Sequence, residues 1–281
     1  MTSTKTKVAL ARMAYRGLAW ARQTVGLGPE VVARRGGLTW KLDLREGIDL
    51  AIFLFGTFER ATITACRRHV RPGDVALDIG ANVGSHTLHL AKFVGPSGRV
   101  IAFEPTTFAY RKLLANVALN PDLALRITAE QIMLVDTGAR PLQPALYSSW
   151  PLTSQADLHA QHRGRLMSTA GARGLSLDEY LESERVPSVA LMKLDVDGHE
   201  CAVLRGATDT IRRFRPLIVM EVAPYVLREV GHELGDLVEI IRSLGYELRS
   251  QTTGASLPSD PEDLRALIPD GAGMNVLVTS R

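Results

Sequence analysis

The spacing of apolar positions changes character near residue 74. Before it, residues 7–24 follow a helical period, with Leu10, Met13, Gly17 and Ala21 on one stripe and the arginines largely off it. Gly26, Gly28 and Pro29 end that segment. Thr39-Trp40-Lys41-Leu42-Asp43-Leu44 alternates and reads as a strand. Residues 49–70 read as a second helix, stopped by Arg71-Pro72-Gly73. Residues 1–70 are therefore expected to form a small helical and β cap, with the main domain over 71–281.

From Asp74 onward, short apolar runs alternate with helix-period segments. Val75–Leu77, Arg99–Phe103, residues 125–134, Val189–Leu194, Leu217–Met220, Gly245–Leu248 and Asn275–Val278 read as strands. Helices are predicted over 83–94, 108–119, from about Glu200, and over 234–244. Ser176 caps a further short helix, with Glu179 at the capping-box spacing. Residues 137–174 and 251–273 read as long loops, the first a candidate wall for a substrate. Such alternation predicts a mostly parallel sheet covered on both faces, with right-handed crossovers.

Charge sharpens this picture at one end. The chain carries +3 overall, but residues 1–36 hold Lys5, Lys7, Arg12, Arg16, Arg22, Arg34 and Arg35 against Glu30 alone, a net of +6 that leaves −3 for the remainder. A basic arm of this kind is a solvated helix face or a weak contact for a membrane surface. It lacks the interleaved aromatics of a nucleic-acid site beyond Tyr15 and Trp20, so no nucleic-acid partner is expected. Cys66 and Cys201 lie far apart and outside any metal-ligand spacing, which predicts core thiols in a reducing compartment. No stretch has the apolar length of a membrane span and no cleavable leader is evident, so a cytoplasmic location is expected.

The chemistry concentrates where the strands end. In an open α/β sheet, ligands sit beyond the carboxyl ends of the strands, and four acids fall there: Asp78, Glu104, Asp195 and Glu221. Asp78-Ile79-Gly80-Ala81-Asn82-Val83-Gly84 runs from a strand through a glycine-spaced turn into a helix. A dinucleotide fingerprint puts its middle glycine near the position Asn82 occupies, because the backbone must meet a pyrophosphate there. Asp78 would repel a pyrophosphate and welcome the ammonium and sulfonium of S-adenosylmethionine. Gly80 and Gly84 allow close backbone approach, and Asn82 can donate and accept near the methionine moiety. Asp78 either meets the ammonium, directly or through water, or caps the following helix. Glu104 lies at the distance from Gly80 that suits hydrogen bonding to a ribose diol; a solvated strand-end acid is the alternative.

Four segments carry a resemblance to a known family. They are Asp78–Gly84, Phe103-Glu104-Pro105, Leu177-Asp178-Glu179-Tyr180-Leu181 and Met192-Lys193-Leu194-Asp195-Val196-Asp197-Gly198-His199-Glu200. The chain resembles the FkbM-type methyltransferases over about residues 37–281, Gly56 and Glu59 matching the family's upstream helix. The resemblance implies a class I methyltransferase (Rossmann-like) fold, a mostly parallel seven-stranded sheet with helices on both faces. It also implies S-adenosyl-L-methionine as donor and an oxygen acceptor on a sugar, glycoconjugate or similar small metabolite. Where the family often has an alanine-led turn after the third strand, this chain has Met133-Leu134-Val135-Asp136, and Asp136 could reach the adenine amino group. Asp195 joins the donor-binding set.

Methyl transfer to an alcohol needs alignment and a base for the hydroxyl proton. His199, just past Asp195, is the first candidate, as its unperturbed pKa of about 6.5 suits the task; it otherwise lines the wall. Asp195 and Glu221 are its rivals. The same two carboxylates, with Asp197 as a third, could instead hold Mg²⁺. His86 is expected to face the donor, His89 to be core or surface, and His159 and His162 to be solvated loop residues, with acceptor contact as the alternative. Other readings of the same architecture are a nucleotide-dependent oxidoreductase and an inactive binding protein; a homodimer is compatible with each.

Overall fold

The apolar run ending at Asp78 becomes the middle of a sheet because both of its faces are covered. The computed structural model describes residues 4–136, 142–153, 158–159 and 164–280, with side chains from residue 9 onward. Its main sheet has seven strands: β1 (Val75–Ile79), β2 (Arg99–Phe103), β3 (Ile127–Glu130), β4 (Leu191–Leu194), β5 (Leu217–Val222), β6 (Tyr246–Ser250) and β7 (Met274–Ser280). They lie in the order β6-β7-β5-β4-β1-β2-β3. Strands β1 to β5 pair in parallel, and β7 runs antiparallel between β5 and β6. Every residue of β1 is buried, as expected of a strand roofed on both sides. Leu77, Ile79 and Phe103 face one helical layer that includes Tyr180, Leu204 and Leu227. Ala76, Val100 and Leu191 face the other, against Cys66, Leu90 and Val94. Strand order reverses between β4 and β1, which opens a crevice at their carboxyl ends.

The cap departs from expectation in three ways. The helix expected over 49–70 is two helices, α2 (Gly47–Phe55) and α3 (Arg60–His69), following α1 (Thr4–Thr24). The break falls at Gly56 and Glu59, whose φ angles are 78° and 53°; a left-handed residue cannot continue a right-handed helix. The alternating strand at 39–44 is Leu38–Asp43, and it pairs with an unforeseen partner, Glu30–Arg35, in a hairpin. Its inward side chains Leu38, Trp40 and Leu42 share a core with Leu50, Val83 and Leu88, so cap and sheet domain are packed as one. Finally, the α1 stripe of Leu10, Met13, Gly17 and Ala21 faces outward; Ala11, Tyr15 and Leu18 are the residues that pack.

Elsewhere the elements were more divided than their patterns suggested. Residues 125–134 form β3 and a separate strand, Ile132–Leu134, that pairs with Arg173–Leu175. Ala145–Ser149 pairs with Arg165–Ser168 inside the stretch read as irregular. The helix from Glu200 is two, Glu200–Arg205 and Thr208–Phe214. The loop over 251–273 contains a helix, Pro261–Ala266, whose cap Asp260 accepts from the Glu262 and Asp263 amides. The capping box of Ser176 and Glu179 forms as expected.

Candidate active site

At the end of β1 the chain turns sharply enough for two successive amides, Gly80 and Ala81, to donate to the Phe103 carbonyl, each at 3.0 Å. Gly80 has φ 79°, and a Cβ there would lie 1.8 Å from the Asp195 carbonyl oxygen. Only glycine fits. Asn82 follows with φ 48°, a left-handed position that Asn tolerates better than most residues. Gly84, φ 89°, caps helix α4 (Ser85–Phe93). The turn and helix start together line one side of the crevice between β1 and β4.

Four adjacent strands each deliver one of the expected acids to this rim: Glu221 from β5, Asp195 just past β4, Asp78 from β1 and Glu104 just past β2. The cation among them is Lys193, which pairs in register with Asp78 across β4 and β1. Its ammonium lies 3.7 Å from Asp78 Oδ1 and 3.4 Å from Asp195 Oδ2, and donates to the Gly80 carbonyl at 3.1 Å. Burial alone would lower the Lys193 pKa, but Asp195, Asp78 and Glu59 together raise it, so it stays charged.

Asp78 is fully buried. Its Oδ2 accepts from the Thr87 hydroxyl at 2.6 Å, while Oδ1 has no hydrogen-bond partner. Burial raises its pKa, with Lys193 and Thr87 opposing. Glu104 is nearly as enclosed. One carboxylate oxygen accepts from the Asn82 amide at 2.9 Å and the other from the Thr106 amide at 2.9 Å and hydroxyl at 2.6 Å. Ser148 lies over this pair. Its Oγ is 2.9 Å from the Thr106 hydroxyl, and its carbonyl accepts from Asn82 Nδ2 at 3.3 Å.

The motif after β4 folds back on itself. Asp197 is left-handed, φ 48°, and Glu200 Oε1 accepts from the Val196 and Gly198 amides at 3.2 and 3.4 Å. Burial pushes Glu200 up to about 7. Burial and the neighbouring Asp195 also raise Asp197 and Glu221 well above the usual carboxylate range. His199 caps the helix that follows and is half-buried; burial and then His232 lower its pKa, which keeps the imidazole neutral at pH 7. Glu221 packs against Gly273, where any Cβ would strike its carboxylate.

Other expected residues are dispersed. Asp136 is half-buried beyond Leu134, beside residues 137–141, which lie outside the description. His159 pairs with Glu229 at 2.9 Å and stacks edge-on against Tyr147; His162 lies outside the described residues. His86 is buried and neutral, its Nε2 3.6 Å from Glu59 and without a hydrogen-bond partner. His89 is core, bonded to the Ser85 carbonyl. Among the described residues, no three His, Cys, Asp or Glu side chains converge as a metal site. Asp195 pairs with Lys193.

Residues 78–248 match the Methyltransferase FkbM domain. The chain belongs to the FkbM methyltransferase family. A hexuronic acid methyltransferase, AglP, of Haloferax volcanii is 28% identical over 165 residues, 57% of this chain and 61% of that protein, so the match spans less than two thirds of that relative. The 31-O-demethyl-FK506 methyltransferase FkbM of Streptomyces tacrolimicus is 28% identical over 203 residues, 63% of this chain and 74% of that protein. A solved FkbM methyltransferase from Methylobacillus flagellatus superposes with a TM-score of 0.43 at 15% identity, covering 79% of this chain and 56% of that one.

The residues present suit the donor of an FkbM methyltransferase. The acid-rich rim, with Glu104 Oε2 accepting from the Asn82 amide alone, suits a cationic ligand with a ribose. Two residues of the rim are in view in the sequence without a role. Lys193 sits inside the recognised motif, yet its position within an apolar strand gives no hint that it is the buried counter-ion. Glu59 is separated from the rim in sequence and reaches it only through the α2–α3 break, where burial and Asp195 raise its pKa.

Proposed function

We propose that this protein transfers a methyl group from S-adenosylmethionine to a hydroxyl of a small metabolite, sugar or glycoconjugate. The observation that carries the reading is the set of four strand-end carboxylates around the Gly80–Gly84 turn in a chain of this family. The printed activities of the two relatives, one on a hexuronic acid and one on an oxygen of FK506, support an oxygen acceptor.

When bound, S-adenosylmethionine supplies an activated methyl group and its own leaving group. The chain's part is to hold and orient. Gly80, Asn82 and Gly84 shape the backbone against the donor, Asp78 and Asp195 offset positive charge, and Glu104 accepts from the ribose. Glu104 Oε2, which accepts from the Asn82 amide alone, keeps a lone pair for a ribose hydroxyl. Asp136, just past Ile132–Leu134, is the candidate partner for the adenine amino group. His199, neutral at pH 7, is the first base for the acceptor proton; Asp195 and Glu221 are alternatives.

Calorimetry with S-adenosylhomocysteine and with NAD(H) tests the donor. Binding of the first alone, weakened at least tenfold by Asp78→Ala and Glu104→Ala, is expected. Preference for NAD(H) would overturn the reading in favour of an oxidoreductase. Donor binding without methyl transfer to any hydroxylated sugar or uronic acid, read by product mass, would leave a binding protein. Loss of rate in His199→Gln at unchanged donor affinity, about 10² or more, would identify the base.

A further inference from the structure

Helix α1 has two apolar faces, and the fold uses one of them. Ala11, Tyr15 and Leu18 pack into the cap core. Leu10, Met13 and Trp20 share the other face with Gly17 and are 60%, 70% and 71% exposed. The space around Gly17 is open. In the turn that follows, Val25 and Leu27 stand 67% and 53% exposed. A run of large apolar side chains in water at helical spacing marks a contact surface.

Charge selects the partner. Residues 1–36 carry a net +6, and Arg16 is exposed next to Trp20 on the helix surface. Pairing two copies through this face would bring two such arms together, whereas an anionic surface would neutralise them. No helix among the described residues is long and apolar enough to cross a membrane. An amphipathic basic helix with an interfacial Trp instead lies in the plane of the headgroups. We propose that α1 docks on an anionic phospholipid bilayer, with Leu10, Met13 and Trp20 entering the interface and Arg16 meeting lipid phosphates. This goes beyond the methyl-transfer reading and does not depend on it.

The test is co-sedimentation of the full chain with vesicles of phosphatidylcholine alone or mixed with phosphatidylglycerol. Binding at least tenfold stronger on the anionic vesicles is expected, weakening as salt rises. Trp20 emission should shift to the blue on binding, and Trp20→Phe should abolish the shift, since Trp40 is buried and Trp150 is half-buried against Gly47, off the α1 face. Arg16→Glu should lower binding about fivefold or more. Met13→Glu with Trp20→Glu should lower it at least tenfold while keeping the thermal transition of the parent, because both side chains are exposed. Equal binding to neutral vesicles, no binding to either, or lipid-independent dimerisation lost in the double glutamate variant would overturn the proposal.

Discussion

Lys193 and Asp78 stand opposite each other on adjacent parallel strands, both buried, with ammonium and carboxylate 3.7 Å apart. The lysine also faces Asp195 and Glu59, so it sets the charge balance of the rim. Removing one partner of a buried pair leaves the other uncompensated. Lys193→Met should therefore lower stability by about 3 kcal/mol, at the low end for breaking such pairs. Chemical denaturation measures this, and a loss within error of zero would show that the carboxylates accommodate without it.

Gly80→Ala tests the turn. The added methyl meets the Asp195 carbonyl at 1.8 Å on a backbone already at φ 79°, and neither backbone can yield without moving β1 from β4. Loss of S-adenosylhomocysteine binding together with a lower midpoint of thermal unfolding is expected. Gly17→Ala, in open space inside α1, is the control and should leave binding unchanged while raising the midpoint slightly, since Ala favours a helix interior over Gly.

Proton linkage follows from the raised carboxylates. A cationic donor lowers the pKa of the acids it approaches, so binding should release protons and tighten as pH rises toward neutrality. Calorimetry in buffers of different ionisation enthalpy reads the release directly. Glu200 adds a stability effect of definite sign. Its folded pKa of about 7 exceeds the unfolded value of about 4.3. Between those values the native state holds the extra proton, so stability present at low pH is lost as pH rises through about 7. Glu200→Gln should flatten that decline.

The cysteines give a simple check on packing. Both are buried, and burial pushes each thiol up to about 12, which leaves almost no thiolate at pH 8. Neither should react with a thiol reagent in the folded protein, and both should react on unfolding. Rapid labelling of one thiol under native conditions would place it in an opening segment.

What could be read from the sequence follows a physical divide. Asp78, Glu104, Asp195 and Glu221 were legible because an apolar run defines a buried strand and its end defines the rim. Ser176 and Glu179 were legible because a capping box is local. Lys193 was not, since its partner lies across a strand pairing that no local pattern encodes. The α2–α3 break was hidden because Gly56 interrupts an otherwise continuous helical period. The hairpin of Glu30–Arg35 had its turn at Gly36-Gly37, a recognised two-residue loop signal, but Glu30, Val32 and Arg34 obscure the alternation on its outer side. For α1, periodicity identified a stripe and could not say whether it faced core or solvent.

The antiparallel strand β7 imposes an order on assembly. It separates β5 from β6, so β6 has no edge to join until residues near 274 have been synthesised and have returned across the sheet. A chain cut before Met274 would carry an unsealed β5 flank and an unpaired β6 segment. That intermediate offers open backbone to other chains, so ribosome-bound or truncated forms should be prone to self-association until the final insertion closes the sheet.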